Sequence, residues 1–151
     1  MQPDSQSPRT ISCLQLFQML DPKGQQRVLS AIVVVHFPDN ARIVEEGATG
    51  DALFIIVSGT AEVSVDDLGE QKVLSLLREG SMFGEMAVIT KQPRSATVIA
   101  KGPVSVLRIQ KDDILGILKD YPRVKEQIAR LGVARAEDTL DKLTPIFPPD
   151  P

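Results

Sequence analysis

Residues 52–65 read ALFIIVSGTAEVSV, and their pattern decides which kind of fold this chain can adopt. An apolar run from Ala52 to Ser58 meets Ser58-Gly59. Thr60 to Val65 then alternates, so that Ala61, Val63 and Val65 share one face. That is the two-residue period of a strand rather than the 3.6-residue period of a helix. Two strands, Ala52 to Ser58 and Ala61 to Val65, are expected, with a turn between them.

Outward from this pair the texture stays the same. Ile32 to Phe37, Arg42 to Glu45, Lys72 to Leu77, Ala96 to Ala100 and Val104 to Ile109 are further short β-rich runs. Turn signals separate them: Asp39-Asn40, Gly47 to Gly50, Asp67-Leu68-Gly69, Glu79-Gly80 and Lys101-Gly102-Pro103. Many short strands at regular spacing imply a mainly β fold, a roll or jelly roll over about residues 32–110. Helical spacing appears at both ends. Leu14, Phe17, Leu20, Val28 and Ile32, interrupted by Pro22 and Gly24, predict two short helices or turns. After Gln110, the pair Asp112 and Asp113 favours a helix start, because carboxylates complement the helix dipole. Tyr121-Pro122 breaks that helix, and a second is expected over Arg123 to Leu143. Residues 1–10 are expected to be disordered, residues 11–143 to form one domain, and TPIFPPDP, residues 144–151, to be a tail or linker.

Composition excludes several classes of function. The 151 residues are 42% hydrophobic but only 4% aromatic, so the core must rest on Val, Ile and Leu. A net charge of -3 argues against a general nucleic-acid surface, which needs a basic stripe. Cys13 is the single cysteine and His36 the single histidine, so neither a disulfide framework nor a multi-histidine metal centre of the cupin kind can be assembled. No Ser-His-Asp or Cys-His set emerges, and no catalytic residue is assigned. The polar N-terminus has no signal-peptide pattern, and no apolar run approaches the ~20 residues of a membrane span. A cytoplasmic location is the expectation.

One stretch carries chemistry. Residues 83–97 read FGEMAVITKQPRSAT. Gly84 allows backbone to approach a ligand closely. The start of a short helix presents unpaired N–H groups to an anion. Arg94 supplies a planar fork matched to two phosphate oxygens. Glu85 can accept hydrogen bonds from a ribose hydroxyl, as acidic residues do in other nucleotide folds. Each residue alone has a plainer reading: a turn glycine, a first-turn charge, a surface arginine, small strand residues at Ser95 and Ala96. The pattern taken together points to a pocket for a sugar joined to a phosphate.

This stretch resembles the phosphate-binding cassette of cyclic nucleotide-binding domains, the family of kinase regulatory subunits, catabolite-activator-type transcription factors and cyclic nucleotide-gated channels. The resemblance extends over roughly residues 14–130 and includes Glu46-Gly47-Ala48-Thr49-Gly50-Asp51 followed by Leu53 to Gly59. It implies a β-roll flanked by N-terminal and C-terminal helices. It also implies roles for particular residues. Glu85 resembles the acid that holds the ribose 2′-OH, and Arg94 the arginine that clamps the cyclic phosphate. Gly84, Met86 and Ala87 fall where backbone faces the sugar-phosphate, and Ser95 and Ala96 where a hydroxyl or N–H reaches the phosphate or base. Val63 and Leu74 fall where apolar side chains line the base, although core packing is an equal reading for both. Asn40-Ala41 replaces a frequent glycine, a change that Asn tolerates. Serine at 95 occurs with both purines in the family, and the expectation is cyclic AMP ahead of cyclic GMP.

The resemblance therefore implies a non-catalytic cyclic nucleotide sensor with no separate cofactor. It would act through its C-terminal helix on an effector protein or fused domain, without nucleic acid or membrane. Pairing of two copies through that helix is a further expectation. The alternatives are a scaffold of the same fold that has lost its ligand, and a regulatory fragment of a larger enzyme or channel.

Overall fold

The computed structural model of the chain describes residues 13–90 and 93–130. Helices α1 (Cys13–Gln18) and α2 (Pro22–Ala31) precede strands β1 (Val33–Phe37), β2 (Arg42–Val44), β3 (Ala52–Asp67), β4 (Glu70–Leu77) and β5 (Met82–Phe83). Helix α3 (Glu85–Thr90), strand β6 (Thr97–Gln110) and helix α4 (Lys111–Asp120) follow. Residues 122–130 are again helical after a break at Tyr121. All strand pairs are antiparallel. The sheet order is β1-β6-β3-β4, with β2 also on β6 and β5 also on β3. The fold is mainly β with flanking helices, as the strand-and-turn rhythm implies.

The strands differ from expectation in one instructive way. β3 runs unbroken where two strands were expected, and so does β6. Ser58-Gly59 and Lys101-Gly102-Pro103 are bends in a continuing ladder, not ends. Gly59 has φ +94, and a Cβ built there would overlap the carbonyl oxygen of Pro103. The two strands thus bend against each other at a point where only glycine fits. Their pairing shifts register on either side of Ser58 and resumes at Thr60 opposite Lys101. The hairpin between β3 and β4 is a true two-residue turn, with Leu68 and Gly69 both at positive φ. β5 has only two residues, too few to leave a periodic signal.

Alternation along β3 divides the apolar residues between two cores. Ala52, Phe54 and Ile56 face the inside of the roll, with Ala61, Phe83, Val98, Ala100, Val104 and Val106. Leu53 faces the other way, joining Leu16, Leu20, Val88, Ile109, Ile114, Ile117, Leu118, Val124 and Ile128 under the helices. Each fully buried Val, Leu or Ile contributes roughly 1.5–3 kcal/mol, so both clusters are substantial. The cassette helix α3 belongs to the second cluster through Val88.

The helices start and stop for local reasons. Pro22, expected to interrupt, instead opens α2 at a position that lacks an intrahelical N–H bond anyway. Asp21 caps it, Oδ1 accepting from the Gly24 N–H at 2.8 Å. α4 carries Asp112 and Asp113 in its first turn and Lys119 in its last, and ends at Tyr121 before Pro122. The Tyr121 hydroxyl donates to Asp21 Oδ1 at 2.5 Å, and its ring lies where any side chain at Gly24 would sit. Arg27 pairs with Asp120 at 2.7 Å. Of the helix expected over Arg123 to Leu143, residues 131–143 lie outside the described residues, as do residues 1–10 and 144–151.

Candidate functional site

Glu85 and Arg94 are the two charged residues that are buried among the described residues, at 3% and 6% exposure. They are the same two that the cassette motif singles out. Burying a charge is unfavourable unless it is paired or hydrogen-bonded, so charges are buried where a fold has use for them.

Arg94 follows the cassette helix and turns its guanidinium inward. Nη2 donates to the carbonyl oxygen of Ala52 at 2.9 Å, and Nη1 to that of Gly84 at 3.1 Å. Its Cζ lies 5.7 Å from the centre of the Phe54 ring, which stacks on Phe83 at 5.1 Å. A guanidinium over an aromatic face keeps favourable electrostatics where water is excluded. Burial pushes the Arg94 pKa down from its usual value, while Asp51 and Glu85 push it back up. The Arg94 cation thus lies within the electrostatic reach of two carboxylates, Asp51 and Glu85.

Gly84 makes that placement possible. It has φ +86 and leads from β5 into α3, whose first residue is Glu85. A Cβ at Gly84 would overlap Arg94 Nη1 and lie 3.1 Å from the Ala52 oxygen. Both the left-handed backbone and the close approach of the arginine therefore require glycine here.

The remaining predicted positions spread around this centre. Met86 and Ala87 lie on the α3 backbone. Ser95 is exposed and Ala96 half-buried, directly after Arg94. Val63 is half-buried beside the roll core, opposite Ser75 and Val98, and Leu74 is buried on β4. Sequence reasoning missed Asp51, the Ala52 carbonyl and Phe54. Asp51 was visible in the Gly50-Asp51 pair, but a backbone oxygen and a ring beneath a guanidinium leave no sequence signal. His36 bonds Ser105 across the strands at 2.7 Å, between Nδ1 and Oγ. Among the described residues no group of three or more His, Cys, Asp or Glu is arranged to hold a metal. No helix among them is long and apolar enough to cross a membrane.

Comparison with known proteins gives this geometry a context. The chain is 36% identical over 118 residues to a cAMP-dependent protein kinase regulatory subunit of Aspergillus fumigatus, covering 76% of this chain and 28% of that one. It is 37% identical over 112 residues to a cGMP-dependent protein kinase of Toxoplasma gondii, covering 72% and 11% respectively. It thus spans less than a third of the length of these relatives. The crystal structure of the Thermus thermophilus catabolite activator protein superposes with a TM-score of 0.72 at 29% identity, over 82% of this chain and 59% of that one. The family model described as the cyclic nucleotide-binding domain matches residues 34–121, more than half of the chain. With the cassette, the bent β-roll and the buried glutamate and arginine in place, the chain belongs to the cyclic nucleotide-binding domain family.

Proposed function

We propose that this chain is a non-catalytic cyclic nucleotide sensor, with Arg94 clamping the cyclic phosphate and Glu85 accepting from the ribose 2′-OH. The observation that carries this reading is the joint burial of these two charges, one opening α3 and the other following it. A phosphate and a hydroxyl offer complementary partners to a buried guanidinium and carboxylate. Gly84, Met86 and Ala87 present backbone to the sugar-phosphate, and Ser95 and Ala96 flank the phosphate. Val63 and Leu74 line the base. Cyclic AMP is favoured over cyclic GMP, although the relatives include kinases named for each.

Transmission follows from packing. Val88 of α3 sits in one core with Ile114, Ile117 and Leu118 of α4 and with Val124 and Ile128 beyond it. A ligand that binds one arrangement of α3 better than another shifts that core and the helices on it. The output passes to a separate effector or an attached domain, in a cytoplasmic setting.

Calorimetric titration with cyclic AMP, cyclic GMP and 5′-AMP tests the reading. One cyclic nucleotide binding at micromolar concentration or tighter, with 5′-AMP silent, is the expected result. Absence of binding to both cyclic nucleotides would leave a scaffold of the same fold. Amide exchange across residues 123–130 should change on binding, and unchanged protection would refute the transmission step.

A further inference from the structure

Arg94 is held by its main chain as well as by its guanidinium. Residues 45–48 form a turn closed by the Ala48 N–H donating to the Glu45 oxygen at 3.1 Å, with Gly47 at φ +86 in its third position. This is the type II arrangement. The Arg94 N–H donates to the Ala48 oxygen at 2.8 Å, and the Gly47 N–H donates to the Arg94 oxygen at 2.8 Å. Two turn residues, Gly47 as donor and Ala48 as acceptor, thus oppose the one residue Arg94, the pattern of a glycine-type β-bulge.

The turn is itself tied down from two sides through Glu46. Its N–H donates to Thr97 Oγ1 at 3.0 Å, and its Oε1 accepts from the Asp66 N–H at 2.9 Å. Thr97 opens β6 and is one of the few buried polar side chains, at 4% exposure. Its methyl and backbone suit a strand, and its hydroxyl accepts from the main-chain N–H of Glu46. Glu46 and Asp66 are exposed, so the second tie is the weaker.

We propose that Thr97, seconded by Glu46, is a positioning residue for the phosphate clamp. The Thr97 hydroxyl fixes the 45–48 turn, the turn fixes the Arg94 main chain, and the main chain sets where the guanidinium stands. This rests on the reading of Arg94 as the phosphate-binding residue. Displacements near 1 Å at a charge-recognition centre have large effects, so a tie two bonds away matters to binding.

Thr97→Val keeps shape and strand preference while removing the acceptor. Thr97→Ser restores it. In nucleotide-free protein, amide exchange at Gly47 and Arg94, followed by NMR, should be faster in Thr97→Val, return to wild-type rates in Thr97→Ser, and be unaltered at Phe54 and Val106. Cyclic nucleotide affinity should fall by up to about tenfold in Thr97→Val, the scale of one lost hydrogen bond, and about threefold in Glu46→Ala. In an Arg94→Lys background, Thr97→Val should cause little further loss, because the clamp it positions is already gone. Wild-type exchange at Gly47 and Arg94 in Thr97→Val overturns the proposal. So does an equal affinity loss in both backgrounds, which marks general destabilisation. A wild-type protein that binds no cyclic nucleotide refutes the functional reading instead, while the exchange comparison still decides whether Thr97 positions Arg94.

Discussion

Arg94 and Arg27 hold two regions of the molecule by opposite means. Arg94 is buried, bonded to two main-chain carbonyls, over a phenyl ring and within the electrostatic reach of two carboxylates. Arg27 joins α2 to the end of α4 through one carboxylate, with its side chain 34% exposed and that of Asp120 60% exposed. The first arrangement is preorganised, since one acceptor is a sheet carbonyl, that of Ala52, and the other, that of Gly84, sits in the fixed connection from β5 to α3. The second is a surface ion pair of the kind that contributes about 0–1 kcal/mol and can be remade elsewhere at little cost. The proposed sensor function would use both: a fixed place for the ligand, and a helical collar whose docking can change.

The sharpest way to break this contrast is to delete each arginine. Arg94→Ala should weaken cyclic nucleotide binding by roughly 2–5 kcal/mol, the scale for removing one partner of a buried charge pair. Arg27→Ala should leave affinity unchanged and lower stability by no more than about 1 kcal/mol. Paired calorimetric titrations and urea melts check this. Comparable affinity losses for both would mean that the collar determines binding as much as the roll does.

Gly84→Ala comes next, because it attacks the preorganised region through backbone rather than charge. The new methyl would collide with Arg94 Nη1, and a non-glycine residue at φ +86 adds strain. A stability loss of about 1–3 kcal/mol is expected, with a weaker clamp beside it. Thermal melting with a nucleotide titration decides. A variant that melts and binds like wild type would show that Arg94 has a second, equally good position.

The two regions also differ in how far they were legible. The roll and its cassette announce themselves because their causes are local: alternation at Thr60 to Val65, turn glycines, and a glycine, a glutamate and an arginine close together in one stretch. The unbroken course of β3 was hidden, because a glycine that bends a ladder and one that ends it look alike in sequence. What completes the clamp was hidden too. The Ala52 oxygen carries no side-chain identity, and Thr97 reads as an ordinary strand residue until the turn at 45–48 is folded against it. The collar was legible only as helices. Asp21 and Tyr121 stand 100 positions apart, so nothing in either neighbourhood foretells their bond.

That bond yields the smallest effect and the most direct probe of the collar. The hydrogen bond to Tyr121 lowers the Asp21 pKa from its usual 3.8, with help from the Gly24 N–H, and it raises the Tyr121 pKa above its usual 10.0. For Asp21, whose folded pKa is depressed, the contribution is present above pH 3.8 and is lost as pH falls through the lower folded value. For Tyr121, whose neutral form is favoured in the fold, it is present below pH 10.0 and is lost as pH rises through the higher folded value. Tyr121→Phe removes the phenol and keeps the ring that packs on Gly24. The variant should be slightly less stable than wild type at neutral pH, and the gap should close above pH 10.0, where the wild-type phenol ionises beside the Asp21 carboxylate. Urea melts of both proteins from neutral pH upward read the gap directly, and titrations shared by both cancel in the difference. Equal stability of the two proteins from neutral pH through the alkaline range would mean that the ring, not the hydroxyl, ties the collar together. In that case the helices are held by packing alone, and the contrast with the hydrogen-bonded clamp becomes sharper still.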